Sequence, residues 1–426
     1  MRPFHVLAFP TLLSIAGCFE EKPPPADTAA DTGSVPDLDS DGHTDTDSGE
    51  DSGEDSGEDS GEDSGEDSGP DTDTDTDTDT DTDSGGSSGD LTVCGDGSAP
   101  YTAIQDAIDD ADDGAIITLC PGTWREVLYI GTALTLEGQG AGVTIIDADG
   151  DGTVVEVLTH GEVTLRDLTL TGGAGDPGGA LLSNGADVAL ESVEVVDNDA
   201  AEATIYLEDG SLTTTDSTIA RNVAITVDGV MTQDADLTMT RTTFAENSAD
   251  WGPDAAYVVL HLGGGDLEMY NGLFYGHAHK GYAVFSNADS VFIANTVFDL
   301  DQLLVAVGTG DYFGTAYTGL TLQNDIITTN AADVTGVVGT TRGSLDVEYT
   351  LFDGVTYPTC VGSCSESVSG TGCLEADPRF EDAEARDYHL SSTSPAVDAG
   401  NPATTWDDAD GTRNDMGLYG GPFSGG

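Results

Sequence analysis

The chain has 426 residues, with 80 Asp and Glu against 11 Lys and Arg and a formal net charge of −69. A field of that sign repels nucleic acid, anionic lipid headgroups and polyuronates unless cations bridge the contact. Nucleic-acid binding is therefore excluded as a function.

Residues 1–17 place Arg2 before a short apolar run, Val6 to Ile15, and end in small residues. The run is too short to span a bilayer and reads as a secretory signal peptide. Ile15-Ala16-Gly17-Cys18 resembles a bacterial lipobox. That resemblance implies cleavage before Cys18, acylation of its thiol, and anchoring to a membrane. Several acyl chains hold far more firmly than one. Phe19 rather than Asp follows the cysteine, which by the same resemblance implies the outer membrane or cell surface of a Gram-negative bacterium. Residues 18–92, which the same resemblance implies are lipidated at Cys18, are rich in Asp, Ser, Gly, Glu and Thr, and the repeat "SGEDSGEDSGEDSGEDSGPDTDTDTDTDTDTDS" within them has almost no apolar residue. The 18–92 stretch is predicted to be a disordered acidic tether, held open by its own charge. Its stretched reach is on the order of 240 Å. "DLDSDGHTD", Asp37 to Asp45, has the alternating Asp of a calcium loop but lacks the closing Glu and flanking helices of an EF-hand.

Residues 93–426 suffice for one large domain, and 53 of the acids fall within 91–426. In 93–150, Ile104, Ala107, Ile108 and Ala111 lie at helical spacing and predict an amphipathic N-terminal cap helix, followed by the first coils. Cys94 and Cys120 bracket this unit and are the expected disulfide of an exported chain. Cys360, Cys364 and Cys373 share one loop, and their pairing stays open. No CxxC or Cys/His zinc spacing occurs, so no zinc site is expected.

Residues 151–356 repeat. Similar segments begin at Val163, Val188, Leu212, Leu237, Leu267, Val291, Leu320 and Leu345, which we number rungs one to eight. Each opens with strict apolar alternation, the mark of a half-buried strand. The third column runs Leu165, Leu190, Thr214, Met239, Met269, Ile293, Leu322, Val347, and the eighth runs Leu170, Val195, Ile219, Phe244, Phe274, Phe298, Ile327, Phe352. The fifth and eleventh columns are mostly short and polar, with Asn198, Asn222 and Asn247 in the eleventh. A rung of about 24 residues cannot bury its apolar face alone, whereas stacked rungs form continuous columns with polar corners. The period is too short for propeller blades, and a leucine-rich consensus is missing. The fold class is all-β: a right-handed parallel β-helix with an N-terminal cap helix. Residues 357–426 form a C-terminal loop and closing segment.

Tyr101 to Gly150 resembles the opening coils of the pectin-lyase-like β-helix family. "SPAVDAG" and the late Asp-Met-Gly are similar to the closing segments of secreted β-helix repeat proteins. The resemblance implies a cap helix over the first rung and a setting outside the cell. In that family, lyases pair calcium-binding acids with an Arg or Lys base, and hydrolases cluster carboxylates on adjacent rungs; neither motif recurs here as a contiguous string. Asp167, Asp197 and Asp216 occur near neighbouring rungs, with Asp216 the candidate catalytic acid. Two longer rungs bring insertions near 249–266 and 301–319, where Trp251, Tyr257, Tyr312 and Tyr317 are candidate carbohydrate platforms, and Tyr270, Tyr275 and Tyr282 lie nearby. Asp407, Asp408, Asp410 and Asp415 are candidate calcium ligands. In "LEMYNGLFYGHAHK", His277 fills an eleventh-column corner, leaving His279 and Lys280 outside the pattern as catalytic candidates. The function expected is binding of extracellular carbohydrate or a surface partner without catalysis. The alternatives are a polysaccharide lyase or glycoside hydrolase working in a groove, and a structural or adhesive spacer.

Overall fold

The computed structural model describes residues 89–425 apart from 250–255, 288, 311–317, 332–333, 341–343, 356–358 and 362–370. The signal segment, Cys18 and the tether up to residue 88 lie outside the described residues. The expected parallel β-helix is there. Each coil visits three parallel sheets in turn. Sheet A has 11 strands, from Thr92–Val93 to Leu345–Glu348. Sheet B has 11 short strands, from Gly122–Trp124 to Leu374–Glu375. Sheet C has 10, from Leu128–Ile130 to Thr359–Val361. No helix among the described residues is long and apolar enough to cross a membrane.

The repeat columns are the ladder itself. In sheet A, Val163, Val188, Leu212, Leu237, Leu267, Val291, Leu320 and Leu345 pair one above another. In sheet B the eighth column pairs from Leu170 to Phe352. Like residues meet like because a one-residue slip would turn every apolar side chain outward. The fifth column has a sharper reason for its composition: all eight residues from Asp167 to Tyr349 take φ between 47° and 63°. This left-handed turn joins sheet A to sheet B. Asp and Asn tolerate it, while Arg241 and Tyr349 adopt it at a cost. In the eleventh column, Asn222 Nδ2 donates to the Val195 carbonyl at 2.9 Å, and the Asn247 side-chain oxygen accepts from Asn222 N at 2.9 Å.

The N-terminal helix, Ile104–Asp109, buries Ile104, Ala107 and Ile108 against the first coil. Its orphan amides on Ile104 and Gln105 donate to the Glu126 carboxylate, each at 3.0 Å. Cys94 and Cys120 are joined in a disulfide beside it; among the described residues Cys373 has no disulfide partner, and Cys364 of the same loop lies outside them. The closing segment runs along the side of the coil. Tyr388, Ala396 and Met416 pack against Leu273, Val297, Ile326 and Leu351 on the outer face of sheet B. Asn271, Asn295 and Asn324 of the left-handed column take hydrogen bonds from or give them to this strap.

Beside that column, Asp325 is fully buried. One carboxylate oxygen accepts from Thr296 N at 2.8 Å, and the other has no hydrogen-bond partner among the described residues. Burial raises its pKa well above the ordinary carboxylate value, against the opposing pull of the Thr296 and Gln323 backbone. A raised folded-state pKa contributes stability that is complete below about pH 4 and is lost as pH rises through the folded value. Asp325→Asn is therefore expected to be more stable than the parent by about 1–3 kcal/mol at neutral pH. The gain should vanish as pH falls towards the ordinary carboxylate range, as thermal melts across pH would show.

Candidate functional site

The outer face of sheet C is unlike a solvated strand face. Leu181, Ile205, Val230, Val259 and Val284 are fully buried inside the coil. One residue further along each strand, Leu182, Tyr206, Met231, Leu260 and Phe285 stand in register on the opposite face. Beside them Tyr257 pairs with Tyr282, their rings stacked at 5.6 Å and 19°. Phe285 lies 5.6 Å from Tyr257 and 5.3 Å from Tyr282. Met231 and Leu260, each 4% exposed, form a floor; Tyr206, Tyr257, Tyr282 and Phe285 form half-buried walls. Gly308, next in the row, leaves room for the Tyr282 ring, because a Cβ there would lie 2.5 Å from Tyr282 Cε1.

A polar rim borders the stripe. Glu156 pairs with Leu182 at one end. Asn184 Nδ2 donates to Glu208 at 3.2 Å. Burial, with Glu208 and Glu202 nearby, pushes the Tyr206 phenol up to about 12. The hydroxyl is therefore protonated at physiological pH and available to donate. Aromatic faces beside fixed donors and acceptors suit a ligand with apolar ring faces and hydroxyl edges.

Of the predicted aromatic platforms, Tyr257 belongs to this stripe, as does Tyr282. Trp251, Tyr312 and Tyr317 lie outside the described residues. The stretches that carry them, 250–255 and 311–317, lead into the sheet C strand Ala256–Leu262 and follow the sheet C strand Val305–Thr309. Tyr270 stands on sheet A against Phe292 and Phe423, and Tyr275 lies under the Arg386 guanidinium at 4.6 Å. The sequence reading missed Leu182, Tyr206, Met231, Leu260 and Phe285. The signal was present, since they recur at the rung period, but in the strand before each quoted segment.

Several of the predicted acids make ion pairs or accept hydrogen bonds from nearby turns. Asp216 forms a paired ion bridge with Arg241, which donates through Nη2 at 2.8 Å and holds the Asp216 pKa low. Asp167 and Asp216 share the left-handed column, whereas Asp197 sits at the next corner, paired with Arg221 at 2.9 Å. Asp408 accepts from Asp415 N at 3.0 Å and Gly421 N at 2.6 Å. Asp410 accepts from Thr412 N at 2.9 Å, and Asp415 from Asp398 N at 2.6 Å. These carboxylates shape the turns of the strap, and Asp407 stands beside them. A hollow of about 520 Å³ adjoins the Cys94–Cys120 bond; its one charged lining group, Asp96, is engaged by Ser98 N.

The rung-five corner divides. Lys280 is exposed, whereas His277 and His279 are buried, 2% and 5% exposed. His279 Nε2 lies 2.9 Å from Oδ2 of the fully buried Asp228. Burial drives His277 down to about 3, with His279 adding to the effect. For His279 burial pulls the same way, but Asp228 outweighs it and holds the ring above its ordinary value. Asp228 is raised by burial, which His279 partly offsets.

No protein-family model and no curated protein matches the chain. Among solved structures it is similar to a mutant pectin methylesterase in complex with a hexasaccharide, at 13% identity over 72% of this chain and 98% of that one, TM-score 0.35. It is also similar to pectin methylesterases from Erwinia chrysanthemi (14%, 71% and 98%, TM-score 0.31) and from Aspergillus niger (15%, 70% and 93%, TM-score 0.32). At these values the likeness carries no argument about ligand or chemistry.

Proposed function

We propose that the protein is a surface-displayed, lipid-anchored β-helix that binds neutral extracellular carbohydrate along the outer face of sheet C, without turnover. The in-register stripe from Leu182 to Phe285, with Tyr257 and Tyr282 beside it, is the observation that carries the reading. Rungs are spaced about 4.8 Å apart, so Tyr206 to Phe285, three rungs, spans about 14 Å, the scale of a short oligosaccharide. The overall acidity favours a neutral glycan over a polyuronate. Asp216, held low by Arg241, is suited to structure more than to proton donation. The acylated Cys18 and the tether would hold this face away from the membrane.

Affinity electrophoresis through glycan-containing gels tests the assignment. Tyr206→Ser and Phe285→Ser should each weaken retardation about 10-fold, the loss expected for one aromatic contact, while Asp216→Asn should not. Equal retardation of all three variants and the parent would refute the stripe. Cys18→Ser should release the chain from the membrane fraction; continued partitioning would refute the anchor.

A further inference from the structure

Rung five breaks two columns at once. The corners after sheet B carry Asn198, Asn222 and Asn247, with Ala200, Ala224 and Ala249 two residues on; rung five has His277 and His279 in those places. The corners are in register: Val223 N donates to Asn198 O at 2.8 Å, Ser248 N to Asn222 O at 2.9 Å and Ala278 N to Asn247 O at 3.1 Å. His277 thus takes the next step of the asparagine ladder, yet among the described residues neither of its ring nitrogens makes an aligned hydrogen bond, although the Phe244 and Asn247 backbone lies near enough to act on the ring.

Facing them is Asp228, two rungs below. The strand Val227–Gln233 has one extra residue there, since Val227 pairs with Ala203 and Val230 with Ile205. Such a bulge re-aims a side chain. A Cβ at Gly229 would lie 2.4 Å from the Val258 carbonyl oxygen, so only glycine allows this bend beside that strand. Thr204 Oγ1 donates to the Asp228 carbonyl at 3.0 Å, not to its carboxylate. Among the described residues both carboxylate oxygens, like all four imidazole nitrogens, are buried without an aligned partner; the 2.9 Å approach of His279 to Asp228 is close but poorly directed.

Burying six such atoms without well-directed partners is costly, and native interiors avoid it. His261 shows how this coil treats an ordinary core histidine. It is equally buried, but Nε2 meets the Ala235 carbonyl at 2.9 Å and Nδ1 meets Ser286 Oγ at 3.2 Å. In the Asp228, His277 and His279 cluster, one donor atom from each residue lies within 4.8 Å of the others. Ligands about 2.1 Å from a tetrahedral ion stand on the order of 3.4 Å apart, so small rotations close the set.

We propose that Asp228, His277 and His279 bind one divalent transition-metal ion of the zinc class, tying rung three to rung five. Two imidazoles and one carboxylate suit zinc and its neighbours rather than calcium or magnesium, which take oxygen ligands. Three protein ligands leave one position for a water. Coils in a solenoid hold only their neighbours; this ion links two that are not adjacent, across the rung that carries the first insertion. The sequence contains no zinc motif because the third ligand is 49 residues from the first histidine.

The test compares the full chain with the double variant H277N/H279A. Both substitutions restore the residue that other rungs carry, so this variant should fold with or without metal. After growth with zinc and gel filtration, the parent should hold about one equivalent more zinc than the variant, which discounts ions held by the acidic tether. Chelation should lower the melting temperature of the parent by about 5 °C and leave the variant unmoved. Cobalt loading should give the visible absorption of a tetrahedral site in the parent alone. Equal zinc in the two proteins, or a parent melting temperature indifferent to chelator, would overturn the proposal and leave the cluster bridged by water.

Discussion

Phe274→Ala is expected to destabilise the coil by about 3–5 kcal/mol, more than any other single core truncation in rungs four to six. Phe244, Phe274 and Phe298 stack through the interior with centroids 4.8 and 4.9 Å apart and ring planes 9° and 14° from parallel, all fully buried. Removing the middle ring takes away its own burial and both aromatic contacts, each worth about 0.5–1.5 kcal/mol beyond area. Neighbouring rungs are paired strands and cannot collapse into the void without breaking their ladder, so the cavity should persist. Urea unfolding followed by circular dichroism measures the loss. A change below about 1 kcal/mol would show that the coil relaxes far more than a packed column allows.

Asn295→Ala is the second large effect. Its Nδ2 donates to Asn414 Oδ1 at 3.1 Å, the Asp415 carbonyl at 2.9 Å and the Gly417 carbonyl at 3.3 Å. Its side-chain oxygen accepts from Asn324 and Asn414. These bonds are buried, so truncation leaves several groups unpaired, at a cost of about 3 kcal/mol in all. The loss should act on the strap first, because the coil has its own ladder while the strap is held by such contacts and by Leu273, Val297, Ile326 and Leu351. Limited proteolysis should cut the variant within 396–425 while the coil survives. Cleavage no faster than in the parent would mean that apolar packing alone holds the strap.

Much of the coil could be read from the sequence because its signal is repeated. Leu165 or Phe298 alone proves nothing, but eight rungs with apolar residues at the same offsets admit few other folds. The working surfaces were harder for three physical reasons. Tyr206 and Phe285 lie on strands that are apolar on both faces, so the alternation that separates inside from outside disappears there. Asp228 owes its inward aim to a one-residue bulge, which no column count detects. Asn271, Asn295 and Asn324 look like better tenants of a left-handed corner than Arg241 or Tyr349; that they also clasp a segment 77 to 147 residues away is invisible without the strap in place. The corner at His277 was legible as a replaced asparagine. Carrying the columns two places further would have exposed His279 against Ala200, Ala224 and Ala249 as well.

The most direct test of the proposed function is one measurement on the full chain: incubation with a panel of neutral and acidic polysaccharides, with and without calcium, followed in parallel by gel retardation and by product formation. Calcium-independent retardation by a neutral glycan, with no new reducing ends and no unsaturated-product absorbance, is the expected result. New chain ends or unsaturated products would contradict it and make this protein an enzyme, and no retardation by any glycan would reduce the sheet C stripe to packing.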